Sequence, residues 1–535
     1  MKVLAVIPAR AGSKGIPNKN IRIINGNPMI YYAINNAKNS KYITDIVVST
    51  DSEEVKIISK QMGVNFKWRS PDLCEDSVTL DAVIYDAFIE QKRNYDYVIT
   101  LQPTSPTLKA STLDSAIEYT IEKNLDTVIS AVNRPHLSWK NLNGKKIPNY
   151  EKRLNRQYLP ENFLETGAFV ISKSSVVTVD SRIGNNVDIY EISEDEAIDV
   201  DSFIDLHSVS EILNRKKVAI YVNGNNKRGT GHVYRALEIA DEFLSKPDIY
   251  FDINKTDISI FGKTAHNLIP VNGIVELFNK VKENGYSIFI NDILDTSVDY
   301  MIGLRSVIPS NGKIINFEDE GEGSKHADLV FNALFDSQSD NNVYCGEKYY
   351  IAPKIFMLYN PVNISKDVSS IFICFGGSDP QNYTDRLLKI IASDKYACYK
   401  FVIAIGRAKN NVQSLMDYNK YPNLSVVYDV KNMPEMMSSC DIAITSRGRT
   451  AYELAILGIP SIVLSQNKRE EGHNFICDDN GFMHLGVNPS DHIIESAMDM
   501  YISMPYEERL SIQKLLLASD LKTGRNRVIS LIKNI

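Results

Sequence analysis

Short apolar runs alternate with segments of helical spacing along the whole chain. Val3-Leu4-Ala5-Val6-Ile7, Ile46-Val47-Val48, Tyr97-Val98-Ile99-Thr100-Leu101 and Thr127-Val128-Ile129-Ser130 have the length and composition of buried strands. Between them, 51–62, 79–91 and 110–122 repeat apolar positions as amphipathic helices do. Such alternation predicts an α/β fold with a mostly parallel sheet covered by helices. The pattern restarts twice. A helix-like segment at 202–214 runs into Asn214-Arg215-Lys216-Lys217 and a fresh strand, Val218-Ala219-Ile220-Tyr221-Val222. Another strand, Ile371-Phe372-Ile373-Cys374-Phe375, follows a connector at about 346–369 that carries Pro353 and Pro361. The expected division is one α/β domain at 1–214 and two smaller α/β lobes at 217–355 and 366–535.

Composition narrows the setting. A chain of 535 residues is too long for one core. Its 44% hydrophobic and 23% charged residues are those of an ordinary globular protein. A net charge of −7 argues against nucleic acid or an anionic membrane as main partner, although local loops can still hold phosphates. The six cysteines (Cys74, Cys345, Cys374, Cys398, Cys440, Cys477) form no CxxC pair, which predicts reduced thiols rather than disulfides or a zinc site. The first apolar run meets Pro8 and Arg10 too soon for a signal peptide, and no run approaches the roughly 18 apolar residues of a membrane span. A cytoplasmic protein is expected.

The loop after the first strand, Pro8-Ala9-Arg10-Ala11-Gly12-Ser13-Lys14-Gly15-Ile16-Pro17-Asn18-Lys19-Asn20, combines glycines with three cations. Glycines let backbone N–H groups turn toward an anion, and the end of a first strand is where open α/β sheets bind ligands. The spacing is neither that of a P-loop nor that of a dinucleotide fold. A solvated basic loop is the plainer alternative.

Here the sequence resembles the acylneuraminate cytidylyltransferases, the CMP-sialic acid synthetases. Their signature IPARxxSKGxxxKN is reproduced at 7–20. The resemblance continues at Leu101-Gln102-Pro103-Thr104-Ser105-Pro106, Arg156-Gln157-Tyr158-Leu159-Pro160, Glu165-Thr166-Gly167-Ala168 and Asp199-Val200-Asp201, and so spans 1–212. It implies a Rossmann-like nucleotidyltransferase domain that joins CTP to a nonulosonic acid. Arg10 and Lys19 would hold phosphates, with the N–H groups of Gly12 and Ser13. Asn20, Ser77 and the turn from Gln102 to Ser105 would contact cytidine and sugar. Arg156 and Gln157 would meet the sugar carboxylate, a task suited to a guanidinium fork. Asp199 and Asp201 alternate, so extended backbone puts both on one side, where they suit Mg²⁺. Asp201 could instead cap the helix starting near Ser202. Many relatives have Asn where Thr166 stands, which leaves the acid's identity open. A homodimer through this domain is also expected.

The second half carries Arg228-Gly229-Thr230-Gly231-His232-Val233-Tyr234-Arg235 after its first strand, then Phe375-Gly376-Gly377-Ser378-Asp379-Pro380, and later Ser446-Arg447-Gly448-Arg449-Thr450-Ala451-Tyr452-Glu453. The first two read as strand-to-helix turns able to approach a phosphate, and the third begins another helix, on which Glu453 could be a plain surface residue. A histidine at such a turn can serve as a general base, although a lone one is more often structural. Residues 217–535 resemble the UDP-sugar hydrolase of pseudaminic acid synthesis and its GT-B relatives, through GxGHxxR, GGSDP and His326-Ala327-Asp328-Leu329-Val330. His232 would assist water attack at the anomeric carbon and release UDP. Gly231, Gly376, Gly377, Ser378, Glu453 and Asn467 would lie near nucleotide and sugar. The relatives' first lobe has a strand ending in Asp followed by a Tyr; that Tyr is missing from Asp292-Ile293-Leu294-Asp295, and neither aspartate is given a step. A GT-B glycosyltransferase and a non-catalytic nucleotide-sugar binding module are the rival readings.

Overall fold

The computed structural model describes residues 1–12, 15–91, 93–224, 231–335 and 342–535. The chain forms two compact units, Met1–Arg215 and Lys216–Ile535.

The first unit is built on a seven-stranded sheet. From the edge inward its strands are Asn65–Trp68, Asp45–Thr50, Val3–Pro8 and Tyr97–Leu101, then Phe163–Lys173, Thr127–Asn133 and Val187–Glu191. Its pairings are parallel except those of Phe163–Lys173, which runs antiparallel to both neighbours. The expectation of a mostly parallel sheet therefore holds, with one reversed strand that apolar runs do not announce. Val3, Leu4, Ala5, Val6 and Ile7 are fully buried, as a central strand covered on both faces requires. The sheet order reverses between Val3–Pro8 and Tyr97–Leu101. The loops leaving these two strands therefore open into the crevice where such sheets bind ligands.

The second unit holds two parallel sheets. One has the order Asn267–Val271, Asp248–Asp252, Val218–Val222, Ile288–Asp292, Lys313–Phe317, Leu329–Asn332, Val343–Cys345. The other runs Leu424–Tyr428, Lys400–Ile405, Ser370–Cys374, Ile442–Ser446, Ser461–Ser465, Phe482–Val487. Both are doubly wound, each reversing beside its first strand. Two such lobes give the two-lobed GT-B-like architecture expected from the sequence.

The expected lobe boundaries need correction. Val528, Ile529 and Ile532, on the last helix Gly524–Asn534, pack with Val218, Ile220 and Ile288 in the first lobe. Tyr350, Ala352 and Phe356 pack instead with Phe372, Tyr452 and Phe475 of the second lobe. The chain thus crosses to the second lobe before 355, and its end returns. Apolar spacing alone cannot say which sheet a segment covers.

Candidate active sites

In the first unit, a cavity of about 320 Å³ is lined by Arg10, Gly15, Lys19 and Asn20 from the loop after the first strand. Gln102, Pro103 and Thr104 line it from the turn after the neighbouring strand, with Arg69 and Asp201. Lys19 Nζ donates to the Val200 carbonyl and to Asp201 Oδ1, each at 2.9 Å, and so ties loop to carboxylate arm. Asn20 Nδ2 donates to the Arg10 carbonyl at 2.9 Å, closing the loop on itself. A Cβ on Gly15 would lie 2.8 Å from the Asp201 carbonyl oxygen, so glycine is needed there for close approach. Gly12, at φ 73°, takes the left-handed turn, and Ser13 lies outside the described residues.

Asp201 does not cap the following helix. Ser202 does, in a capping box with Asp205, and Asp201 stays exposed. Asp199 is set deeper. Burial raises its carboxyl above the ordinary range, Asp201's charge adds to this, and Thr104 and Lys19 oppose it. Its Oδ1 is buried without a hydrogen-bond partner among the described residues. An orphaned buried carboxylate oxygen beside a second carboxylate fits a hard cation. Among the described residues no three His, Cys, Asp or Glu side chains gather as a metal site, so substrate oxygens and water would complete the shell.

Other expected site residues meet this cavity only in part. Arg10 is turned toward the 74–77 segment, donating to the Cys74 carbonyl at 3.1 Å and to Asp76 Oδ1 at 2.7 Å. Ser77 is exposed on that segment, 3.4 Å from Glu75 Oε2. Ser105 is buried under the turn, its amide bonded to the Gln102 carbonyl, and does not line the cavity. Arg156 and Gln157 stand exposed on the 3-10 turn Arg156–Tyr158, away from the cavity lining. Thr166 requires a correction. It lies at the bulge where Phe163–Lys173 slips against Thr127–Asn133, and its buried hydroxyl donates to Ser130 Oγ at 2.8 Å. The bulge turns Thr166 into the sheet and brings Gly167, at φ 72°, against Gln102 and Asp199.

In the second unit, a cavity of about 720 Å³ collects residues from both lobes. Gly231 and Arg235 come from the first lobe; Gly376, Gly377, Ser378, Thr450, Glu453, Asn467 and Glu470 come from the second. Gly376 adopts φ 74°, and a Cβ on Gly406 would collide with its carbonyl oxygen. The GGSDP turn differs from expectation in one respect. Asp379 accepts from the amides of Tyr383 and Thr384, both at 2.9 Å, so its own carboxylate satisfies the helix start. Buried Lys409 neutralises it at 3.1 Å. The helix Arg449–Leu457 has no side-chain cap, and Gly448, Arg449 and Thr450 line the cavity. That uncapped start is the better place for a diphosphate.

Glu453 faces the cavity rather than solvent at large. Burial pushes its carboxyl up to about 7, against the pull of Arg449. Burial likewise pushes Glu470 up to about 7, against the Gln466 amide and Arg447. Asn467 Oδ1 accepts from the Glu470 amide at 3.1 Å.

His232 sits on the first turn of the helix Gly231–Ala240, between Gly231 and Arg235, which line the cavity, and is not itself in the lining; Gly229 and Thr230 of its motif lie outside the described residues. Its Nδ1 is 2.5 Å from Asp292 Oδ1. Arg235 grips the same carboxylate with Nε and Nη2, at 2.7 and 2.6 Å, and donates Nη1 to Glu318 Oε1 at 2.9 Å. Burial would raise Asp292, but Arg235 and His232 outweigh it and hold the carboxyl well below the usual range. Burial raises Glu318 despite Arg235. Asp295 instead pairs across the lobes with Arg469, at 2.7 and 3.0 Å.

A cytidylyltransferase family model matches residues 4–159. The chain is 32% identical over 228 residues to the post-translational flagellin modification protein B of Campylobacter coli, covering 97% of that protein and 41% of this chain. The chain belongs to the cytidylyltransferase family. An uncharacterized protein of Methanocaldococcus jannaschii, MJ1062, is 30% identical over 277 residues, which is 47% of this chain and 56% of that protein. The chain thus spans little more than half of that relative. The Helicobacter pylori pseudaminic acid cytidylyltransferase and UDP-2,4-diacetamido-2,4,6-trideoxy-beta-L-altropyranose hydrolase is 26% identical over 540 residues, 96% of this chain and 95% of that protein.

Two residues of these sites carry no role in the sequence reading. Arg69, 4% exposed, reaches the cytidylyltransferase cavity from an edge strand and is anchored by Nη2 to the Ser49 carbonyl at 2.9 Å. It stands outside every motif, and nothing local marks it. Arg235 was findable: His232 and Arg235 are three apart on one helix and so share a face.

Proposed function

We propose that the first unit transfers CMP from CTP to a sialic-acid-like nonulosonic acid, pseudaminic or a related one. A sugar hydroxyl oxygen attacks the α-phosphorus, the bond to the β-phosphate oxygen breaks, and pyrophosphate leaves. Such chemistry asks for positioning and charge neutralisation rather than a covalent nucleophile. The observation that carries the reading is the convergence of Arg10, Lys19 and Asn20 with Gln102 and Asp201 on one cavity at the sheet's switch point. Lys19 would exchange part of its contact with Asp201 for phosphate oxygens. Asp199 and Asp201 would hold Mg²⁺, which supplies positive charge to the developing phosphate charge. Arg156 and Gln157 would meet the acid's carboxylate. Exposed Trp139, Leu142, Tyr158 and Leu164 support a homodimer formed through this unit. A cytoplasmic setting belongs to the same reading; among the described residues no helix is long and apolar enough to cross a membrane.

The second unit, in the same reading, hydrolyses a UDP-linked diacetamido-trideoxy-hexose to free sugar and UDP. The uncapped helix start at Gly448–Thr450 would hold the diphosphate, Glu453 and Asn467 the nucleotide and sugar, and His232 would take a proton from the attacking water. The near full-length likeness to the Helicobacter pylori protein supports pairing these two activities in one chain. The test is a pair of assays on one preparation. Pyrophosphate release from CTP should depend on a nonulosonic acid, and UDP should appear from the UDP-sugar with water as the sole acceptor. UDP release only when a sugar acceptor is added would make the second unit a glycosyltransferase.

A further inference from the structure

The second unit holds a buried charge chain that neither motif nor fold class assigns. It runs from His232 through Asp292 and Arg235 to Glu318, and links the first turn of one helix to the ends of two adjacent strands. Asp292 closes the strand Ile288–Asp292, directly beside Val218–Val222, the strand that precedes the His232 helix. The sheet reversal therefore brings histidine and aspartate together.

The protonation pattern follows from the geometry. Arg235 presents two donors to the Asp292 carboxylate, so that group is an acceptor on both oxygens. A 2.5 Å approach of His232 Nδ1 to Oδ1 then needs a hydrogen on Nδ1. Arg235 Nη2, 3.2 Å from Nδ1, cannot also donate to it. Nε2, on the far side of the ring, takes no hydrogen bond among the described residues. Asp292 is 0% exposed and the His232 side chain 16%, so the ring is fixed from its buried side.

We propose that Asp292 is the positioning residue of His232: by accepting Nδ1–H it fixes the tautomer whose free lone pair is on Nε2, and Arg235, braced by Glu318, fixes Asp292. The proposal rests on His232 acting as a base in the hydrolysis above. The groups facing this arrangement are Arg235 on the same helix, Glu318 after the next strand, and Arg449 from the second lobe, whose charge acts on Glu318.

The test is a double-mutant cycle on the full chain, reading UDP release. Asp292→Asn should lower the rate by about 10²-fold or more in the His232 chain, since the amide favours the wrong tautomer. In a His232→Asn background it should change the rate less than about threefold, because Asp292 then has nothing to orient. An equal drop in both backgrounds, or no drop in the first, overturns the proposal. A second measurement does not depend on turnover. Long-range ¹⁵N–¹H spectra of histidine-labelled wild type, assigned by comparison with His232→Asn, should show His232 protonated at Nδ1. A signal protonated only at Nε2 overturns the positioning claim even where UDP release is seen. An Nδ1–H signal in a chain that releases no UDP would sink the hydrolase reading and leave the geometry standing.

Discussion

Lys19 Nζ lies 2.9 Å from Asp201 Oδ1, so a cation from the signature loop and a carboxylate 182 residues later share one hydrogen bond. This contact sets what loss of the carboxylates should do. Asp199→Asn with Asp201→Asn should slow pyrophosphate release from CTP by at least about 10²-fold at saturating Mg²⁺, since cation and phosphate charge must meet there. Full activity in the double variant, or in excess chelator, removes the metal assignment.

Gly15 gives a steric counterpart. Its virtual Cβ lies 2.8 Å from the Asp201 carbonyl oxygen, so Gly15→Ala should force the loop off the carboxylate arm. Pyrophosphate release should fall about tenfold or more while UDP release by the same protein stays within about twofold. Parallel loss of both would show general unfolding instead.

The Glu453 carboxyl gives a pH dependence of known sign. Its folded pKa of about 7 exceeds the ordinary 4.5, so the folded state binds the proton more tightly. The stability tied to that proton is full below about pH 4.5 and is lost as pH rises through about 7. Glu453→Gln should therefore raise the unfolding temperature of the 216–535 unit at pH 8 and not at pH 4. The gain is about 1–2 kcal/mol, because the side chain faces an open cavity. Calorimetry at the two pH values checks it, and an equal shift at both would contradict the assignment.

The returning helix tests the fold. Removing 524–535 strips Val528, Ile529 and Ile532 from the first-lobe core, a loss of about 5 kcal/mol or more. The truncated chain should lose UDP release and the second unit's cooperative unfolding. It should keep acid-dependent pyrophosphate release. Unchanged unfolding of the second unit would contradict the packing described.

Much of this was legible in residue order. Strands with four or five consecutive buried apolar residues, such as Val3–Pro8 and Val218–Val222, write their burial directly into sequence. The loops at 8–20 and 102–107 follow such strands, so their meeting at a switch point follows from α/β topology. What could not be read depends on contacts distant in sequence. The bulge that buries Thr166 against Ser130, and the reach of Arg69 into the cavity, are set by register and edge placement. Asp379 filling the helix start meant for phosphate is a side-chain competition that a GGSDP string does not disclose.

The first unit, as proposed, makes a CMP ester of a nonulosonic acid. The most direct measurement is mass spectrometry of wild-type protein incubated with CTP, Mg²⁺ and pseudaminic acid, or a panel of related acids. One CMP ester and one pyrophosphate should appear for each CTP consumed. Pyrophosphate with free CMP and no ester, or no CTP consumption with any nine-carbon acid, would contradict it.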